Sequence, residues 1–258
     1  MKFKLFIAVI SIALAVMACG FKKSPKPLQT KVNGNFEPVA VIELFTSQGC
    51  SSCPPADALL AQTITDAKTN GKKILALSFH VDYWNRLGWA DPFSSAAYSA
   101  RQKNYVAHFG LDGAYTPQMV VNGSTEFVGS DKNLLTQSLA KALNTKTAFQ
   151  FKTLTAGFAE GKPIKVDYAV EGDVAGTIIN FALVSLNETT VVKRGENGGQ
   201  TLTNENVVRQ LITKAATTSG EIEFSAAPVP AKNNTAVVAF IQEEKSLRII
   251  GGAMATIN

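Results

Sequence analysis

The sequence predicts an α+β protein, with an α/β domain over residues 38–147 and an antiparallel β-sandwich-like unit over residues 148–258. Two patterns support this fold class. Over residues 39–144, runs of strand-forming residues alternate with helix-like segments in the order β-α-β-α-β-β-α. Beyond Phe149 the apolar residues recur at every second position, which is typical of half-buried antiparallel strands.

The first three elements follow from local composition. Residues 39–45 are a run of strand formers, and residues 54–68 carry alanine, leucine and isoleucine near helical spacing. Asn70-Gly71 is a good C-terminal cap for that helix. Residues 73–79 then predict a second strand.

The later elements have similar signals. Asp91-Pro92 predicts the N-cap and first residue of a helix that ends near His108. Residues 118–121 and 125–128 predict a hairpin across the Asn122-Gly123 turn, and a last helix follows it. The strand-like runs of the C-terminal unit are 164–170, 177–186, 207–212, 221–224, 235–242 and 247–257. We expect this unit to pack against the first domain or to extend its edge.

Residues 1–18 have the pattern of an export signal, with a charged start and an apolar stretch too short to anchor the chain by spanning a bilayer. The stretch ends in Val16-Met17-Ala18-Cys19, which resembles the lipobox of bacterial lipoproteins and predicts lipidation of Cys19. A plain secretory signal cleaved near Ala18 is the alternative. Residues 19–37 are rich in Lys, Pro, Asn and Gly and predict a flexible tether.

Both kinds of signal take the protein out of the cytoplasm. We therefore predict a protein of the bacterial cell envelope, lipid-anchored and facing the periplasm, or otherwise secreted. Its thiols would then work in an oxidising or thiol-exchanging compartment. Removal of residues 1–18 takes away Lys2 and Lys4 and lowers the net charge from +5 to +3, and a charge this small and evenly spread argues against a nucleic-acid partner. We also expect no small-molecule cofactor.

The motif Cys50-Ser51-Ser52-Cys53 holds the two thiols that remain if Cys19 is lipidated. It lies between a predicted strand and a predicted helix, where redox-active thiols are usually found. A structural disulfide and half of a zinc site are the alternatives. Zinc needs four ligands and no second C-x-x-C follows, so we predict no metal site. A bridge this short also removes little chain entropy, which disfavours a purely structural role.

The two cysteines are expected to have different roles. Cys50 lies nearer the strand end and is expected to be more exposed, so we assign it as the attacking thiolate and Cys53 as the resolving thiol. Pro54-Pro55 disfavours helical geometry at Cys53, so the regular helix is expected to start near Pro54. The effect of the helix dipole on Cys50 would then be limited.

The order of elements, the C-x-x-C and Thr116-Pro117 before the hairpin together resemble the thioredoxin fold. More closely, the chain over about residues 39–257 resembles a family of secreted, thioredoxin-like bacterial proteins known as domain of unknown function 1223. The segments that carry this likeness are 43–57, 80–84, 87–89, 101–102, 115–118, 195–197 and 206–209.

The resemblance implies roles for two further residues. It implies a cis peptide bond at Thr116-Pro117, with Pro117 facing the cysteines. It also implies that Glu43, a charged residue in an apolar strand, is a buried acid that moves a proton to or from Cys53. The alternative for Glu43 is an edge carboxylate that pairs with a lysine or faces water.

A substrate groove is predicted beside the cysteines. His80 ends the second strand on the same rim of the sheet as Cys50, and ligands of such sheets bind at the carboxyl ends of the strands. We assign His80, Trp84 and Thr116 to this groove. A structural histidine and a tryptophan packed in the core are the alternatives.

These assignments predict an envelope thiol–disulfide oxidoreductase. Its partners would be envelope proteins with exchangeable disulfides or thiols, and the membrane through the lipid anchor. One alternative is a copper-binding protein with Cys50, Cys53 and His80 as ligands, although the sequence has no Met-rich or His-rich tract. The other is a binding module with vestigial thiols, in which the β-rich unit makes the contacts.

Overall fold

The computed structural model describes residues 36–157, 159, 162–225 and 231–257. The predicted signal peptide, the lipidation site Cys19 and nearly all of the tether lie outside these residues. The described chain belongs to a compact unit that spans Lys31–Asn258. None of its helices is long and apolar enough to cross a membrane.

The described residues form three α-helices and eleven β-strands, with short 3-10 helices at Asn85–Leu87 and Lys232–Asn234. In chain order the elements are β1 (Ala40–Thr46), α1 (Pro54–Thr69), β2 (Ile74–His80), α2 (Ala96–Phe109), β3 (Gln118–Val121), β4 (Thr125–Val128), α3 (Lys132–Leu143), β5 (Gln150–Gly157), β6 (Ile164–Glu171), β7 (Thr177–Val191), β8 (Thr201–Ala215), β9 (Ser219–Phe224), β10 (Thr235–Glu243) and β11 (Ile249–Thr256).

Eight of the strands form one mixed sheet with the order β11-β10-β7-β8-β2-β1-β3-β4. The strands β1 and β2 are parallel and pair along their whole length, from Ala40 with Ile74 to Thr46 with His80. The strand β8 joins the two halves of the sheet by pairing in parallel with β2, where Ser78 lies opposite Val207. A second sheet has the order β5-β6-β9.

The predicted fold class is therefore wrong. The prediction was a thioredoxin-like α/β domain with a β-sandwich-like unit packed against it or extending its edge. Here the C-terminal strands extend the sheet that β1 to β4 begin, and strands dominate over helices. The order of elements up to Leu143 agrees with the prediction, but periodicity does not tell which distant strands pair. The predicted boundary at 147/148 stays a prediction; it falls between α3 and β5.

Different elements pack on the two faces of the large sheet. The helix α2 packs on one face, where Tyr98 and Tyr105 contact the rings of Phe79 and Phe45. The helices α1 and α3 pack on the opposite face of β1, β2 and β3. The three-stranded sheet covers that same face over β7 and β10. This arrangement places the start of α1 at the carboxyl ends of β1 and β2.

The helix α2 begins later than Asp91-Pro92 predicts. Its first residue is Ala96, and its N-cap is Ser95, whose side chain accepts a hydrogen bond from Ala97 N at 3.2 Å. Asp91 Oδ1 accepts a hydrogen bond from Phe93 N at 2.9 Å in a turn that no helix continues, and Oδ2 accepts from Gln48 N and His80. The residue that looked like a cap is instead part of the site described next.

Candidate functional site

Cys50 and Cys53 form a disulfide between β1 and α1, with their Cα atoms 5.5 Å apart. The helix α1 begins at Pro54, as predicted, and Cys53 is its N-cap residue. The Cys53 carbonyl accepts hydrogen bonds from Ala56 N at 2.9 Å and Asp57 N at 3.1 Å. The positive end of the helix dipole is therefore nearer to Cys53 than to Cys50.

The disulfide lies just beneath the protein surface. Both cysteines are 0% exposed, so the expected greater exposure of Cys50 is not found. The two residues between them, Ser51 and Ser52, are exposed. A partner could approach the sulfurs only from the side of this two-residue arch, or after a neighbouring segment moves.

The predicted groove residues Thr116 and Trp84 lie at the disulfide. The Thr116-Pro117 bond is cis, as predicted. Thr116 Oγ1 donates a hydrogen bond to Cys50 Sγ at 3.2 Å, and it accepts one from Trp84 Nε1 at 2.8 Å. Ser52 Oγ donates to the Thr116 carbonyl at 3.4 Å. Ser52 Oγ also lies 3.4 Å from Cys50 Sγ, so two hydroxyl groups contact the Cys50 sulfur, whereas no described residue places a hydroxyl at the Cys53 sulfur.

The tip of the long hairpin formed by β7 and β8 holds the cysteine loop from the other side. Asn197 is buried, and its Nδ2 donates to the carbonyls of Gln48 and Cys50, both at 3.0 Å. Glu196 Oε2 accepts a hydrogen bond from Ser51 N at 3.0 Å, and hydrogen bonds from Ser51 lower the pKa of this carboxyl. The hairpin tip thus fixes the backbone of the C-x-x-C loop.

A buried acid lies one helical turn after Cys53. Asp57 is 7% exposed, and its Oδ2 accepts a hydrogen bond from Thr46 Oγ1 at 3.2 Å. Burial raises the pKa of Asp57 to about 7, and the charge of His80 and the Thr46 hydrogen bond oppose this rise only in part. Asp57 therefore gains or loses a proton near neutral pH.

His80 is fully buried next to this acid, and so it does not line a surface groove as predicted. Its Nδ1 lies 2.7 Å from Asp91 Oδ2, which also accepts from Gln48 N at 2.8 Å. Burial opposes protonation of His80, but the charge and hydrogen bond of Asp91 outweigh it and raise the pKa of the imidazole. The same pair lowers the pKa of Asp91 despite its burial. The protonated form of His80 is thus more favoured than that of a free imidazole.

Three buried polar atoms in this region have no hydrogen-bond partner among the described residues: Asp57 Oδ1, His80 Nε2 and Ser78 Oγ. Ser78 and His80 are two positions apart on β2, so they point to the same face of the sheet. That face carries α1 and Asp57. Unpartnered buried polar atoms are uncommon, and they often mark a functional site.

The structure does not bring Glu43 to the cysteines. Residues alternate between faces along a strand, so Glu43 points to the α2 side of β1, whereas α1 lies on the other side. The Glu43 carboxylate accepts hydrogen bonds from Arg101 Nε at 2.5 Å and Tyr105 Oη at 2.5 Å. Glu43 is 0% exposed, and its charged partner is the partly buried Arg101 rather than a lysine. The acid on the cysteine side is Asp57.

The ligands of the copper alternative are not gathered into a site. Within the described ranges, no group of three or more His, Cys, Asp or Glu side chains is placed to hold a metal ion. Cys50 and Cys53 are bonded to each other, and His80 is paired with Asp91.

The sequence prediction missed Asp57, Asp91 and Asn197. Asp57 had a usable signal, because it lies among the apolar positions of α1 that face the sheet, next to Ala56 and Leu60. Asp91 was interpreted as a helix cap. Asn197 belongs to a segment quoted for the family resemblance, but nothing in its neighbourhood indicates a contact 147 residues away.

Three comparisons with known proteins bear on this chain. A crystal structure of a protein from Agrobacterium tumefaciens is 28% identical, with a TM-score of 0.65, and the match covers 86% of this chain and 96% of that one. A domain of the outer membrane lipoprotein Omp28 from Porphyromonas gingivalis is 16% identical over 43% of this chain and 96% of that one, and its TM-score of 0.25 supports no argument. No curated protein is significantly similar to the chain.

The comparison with protein families covers most of the described fold. Residues 41–242 match the family described as "Protein of unknown function (DUF1223)". The match includes the disulfide, the cis-proline, the buried acid Asp57 and the hairpin tip. The chain therefore belongs to the DUF1223 family.

Proposed function

We propose that this protein exchanges its Cys50–Cys53 disulfide with thiols or disulfides of other proteins in the bacterial cell envelope. The observation that carries the proposal is the hydroxyl of Thr116, which donates to Cys50 Sγ directly beneath an exposed two-residue arch. A hydrogen-bond donor stabilises a thiolate and so lowers the pKa of the thiol. Of the two sulfurs, the Cys50 Sγ is therefore the one whose thiolate is stabilised for attack.

A purely structural role explains the site less well. The bridge joins residues separated by only three positions, so it restricts the unfolded chain little. The loop is already held by Asn197 and by Glu196, through three hydrogen bonds that do not involve sulfur. The disulfide adds little to the rigidity of such a loop.

The proposed exchange has two steps. In the reduced protein, the Cys50 thiolate attacks one sulfur of a partner's disulfide, and the other partner sulfur leaves as a thiolate. Cys53 then attacks Cys50 Sγ as a thiolate, closes the Cys50–Cys53 bond and expels the first partner sulfur. Two electrons pass from the protein to its partner. With a partner dithiol, the same steps run in reverse.

The location is proposed from the export signal and from Cys19, which would anchor the mature chain to a membrane. Residues 19–37 would then act as a tether that lets the reactive loop reach partners beside that membrane. This location fits the chemistry, since disulfides form and exchange outside the cytoplasm.

Trapping in cells tests the proposal. Cys53→Ala leaves the Cys50 thiolate without a resolving thiol, so it should accumulate mixed disulfides with envelope proteins in the membrane fraction. Cys50→Ala is the matched control, because it has the same number of thiols and should trap at least tenfold less protein. Adducts are detected on non-reducing gels after acid quenching and are identified by mass spectrometry.

Two outcomes would contradict the proposal. If neither variant forms adducts that a reductant removes, the disulfide does not exchange with proteins. If Cys50→Ala traps as much as Cys53→Ala, the order of attack is wrong. Adducts found only in the soluble fraction would contradict the lipid anchor but leave the exchange reaction standing.

A further inference from the structure

Asp57 and Cys53 lie one above the other on the buried face of α1. They are four residues apart, and Asp57 N donates to the Cys53 carbonyl, so the helical geometry extends back to the N-cap. In a helix, side chains at this spacing have Cβ atoms about 6 Å apart and lean toward the N-terminus. The Asp57 carboxyl group therefore leans toward Cys53.

Breaking the disulfide by attack on Cys50 leaves an ionised sulfur on Cys53. Cys53 is 0% exposed, and an ionised sulfur is unfavourable in so buried a place until it gains a proton. Cys53 has no exposed surface through which water could reach its sulfur directly. A proton donor within the protein is needed.

Proton transfer to the Cys53 sulfur requires an Asp57 oxygen that is not already engaged in a hydrogen bond. Thr46 Oγ1 occupies Oδ2, whereas Oδ1 is buried and has no partner among the described residues. A protonated Oδ1 can give a proton to a neighbouring sulfur, and an ionised one can take it back. Burial raises the pKa of Asp57 to about 7, so both forms are populated at neutral pH.

The groups that face Asp57 determine how easily it changes charge. From β2, the imidazole of His80 favours the ionised form; from the segment before α2, the carboxylate of Asp91 opposes it. Thr46 on β1 donates a hydrogen bond to Oδ2, and Asn204 on β8 is a neutral neighbour that lowers the pKa of Asp57. Arg209 on β8 acts on His80 and opposes its protonation. His80 Nε2 is buried without a partner, like Asp57 Oδ1.

We propose that Asp57 exchanges a proton with the Cys53 sulfur each time the disulfide opens or closes. His80, held by Asp91, is the positioning residue whose positive charge favours the ionised form of Asp57. This role rests on the proposed function and adds a proton-transfer group to it. Asp57 thus takes the place that the sequence assigned to Glu43.

A proton moves between Asp57 and Cys53 both when the disulfide opens and when it closes. When a thiolate attacks Cys50 Sγ, the Cys50–Cys53 bond breaks, its electron pair stays on Cys53 Sγ, and the proton of Asp57 moves to that sulfur. The products are a mixed disulfide at Cys50, a neutral Cys53 thiol and an Asp57 carboxylate. On closure Asp57 removes the thiol proton, Cys53 attacks Cys50 Sγ, and the partner leaves as a thiolate.

Reduction of the purified oxidised protein by dithiothreitol over a range of pH tests the role. The wild-type rate, divided by the fraction of reagent thiolate, should fall as the pH rises through about 7, because the protonated acid is lost. Asp57→Asn should remove this dependence and slow reduction about 100-fold at pH 6. Asp66→Asn changes an exposed acid on the same helix and should behave like the wild type.

A second measurement needs no thiol chemistry, and its first readout uses only the wild type. The infrared spectrum of the oxidised wild type should contain a protonated-carboxyl band that disappears near pH 7. Asp57→Asn should lack this band. His80→Gln should move its midpoint to higher pH, because a neutral residue no longer favours the carboxylate.

The outcomes separate this role from the proposed function. If the normalised rate is independent of pH in the wild type, or unchanged in Asp57→Asn, the role of Asp57 is overturned while trapping by Cys53→Ala still stands. If trapping fails but the pH dependence and the band are found, protein exchange fails and Asp57 still serves Cys53. If the wild type has no such band near pH 7, Asp57 is not the proton donor.

Discussion

Glu43→Gln is expected to lower the free energy of unfolding by about 3–5 kcal/mol, because it leaves the Arg101 guanidinium buried without its counter-charge. The side chains of Glu43 and Arg101 are 0% and 13% exposed. The guanidinium also lies 5.4 Å from the centre of the Phe240 ring, on β10, so the pair ties α2 to both halves of the sheet. Urea unfolding at pH 7 measures the loss.

The partner variant and the double variant complete this experiment. Arg101→Met should cost a similar amount, since it leaves the Glu43 carboxylate unpaired. Glu43→Gln with Arg101→Met should lose clearly less than the sum of the two single losses, because neither charge is then buried alone. If Glu43→Gln leaves stability within about 1 kcal/mol of the wild type but alters the pH dependence of disulfide reduction, the acid that serves Cys53 is Glu43 after all.

The second large effect concerns Asp57 and the pH dependence of stability. Its pKa is about 7 in the folded protein, against 3.8 as the model-compound value for the unfolded chain. Between these two values the folded state binds more protons, so this group makes stability fall as the pH rises from about 4 to 7. The difference between these two pKa values corresponds to about 4 kcal/mol, and ionisation of Asp57 lowers the free energy of unfolding by this amount above pH 7.

Asp57→Asn removes this contribution. The free energy of unfolding of the variant, minus that of the wild type, should therefore rise by about 4 kcal/mol between pH 4 and pH 8. The raised pKa of His80 has the same sign but acts above its unfolded value of 6.5, so the part of the curve below pH 6 reports Asp57. Asp66→Asn is the control and should run parallel to the wild type. A difference that does not vary with pH would contradict the buried, titrating acid.

Local signals in the sequence were enough to predict most elements and the place of the cysteine loop at the start of α1. The C-x-x-C, the helix start at Pro54 and the cis bond at Thr116-Pro117 depend on residues close together in the chain or on a long family likeness. The path of β8 could not be predicted, because its alternation of apolar residues fits any partner strand. Only the folded chain shows that Val207 pairs with Ser78 and extends the first sheet.

The position of Glu43 away from the cysteines has a simple geometric cause. Glu43 lies in the strand that leads to the cysteines, but alternation along β1 turns its side chain away from α1. Asp57, which we propose as the proton-transfer group, is spaced four residues from Cys53, and its position on the apolar face of α1 was visible in the sequence. The pairing of His80 with Asp91 could not be foreseen, because Asp91-Pro92 is an equally good helix start.

The reduction potential of the Cys50–Cys53 disulfide decides whether it is an exchanging or a structural one. The purified protein is equilibrated with thiol–disulfide buffers of known potential, quenched with acid, and its free thiols at Cys50 and Cys53 are counted by alkylation and mass spectrometry. We expect a midpoint above about −300 mV, in the range of disulfides that react with protein thiols. A disulfide that is still closed at potentials well below about −300 mV would be structural, and the proposed exchange would be wrong.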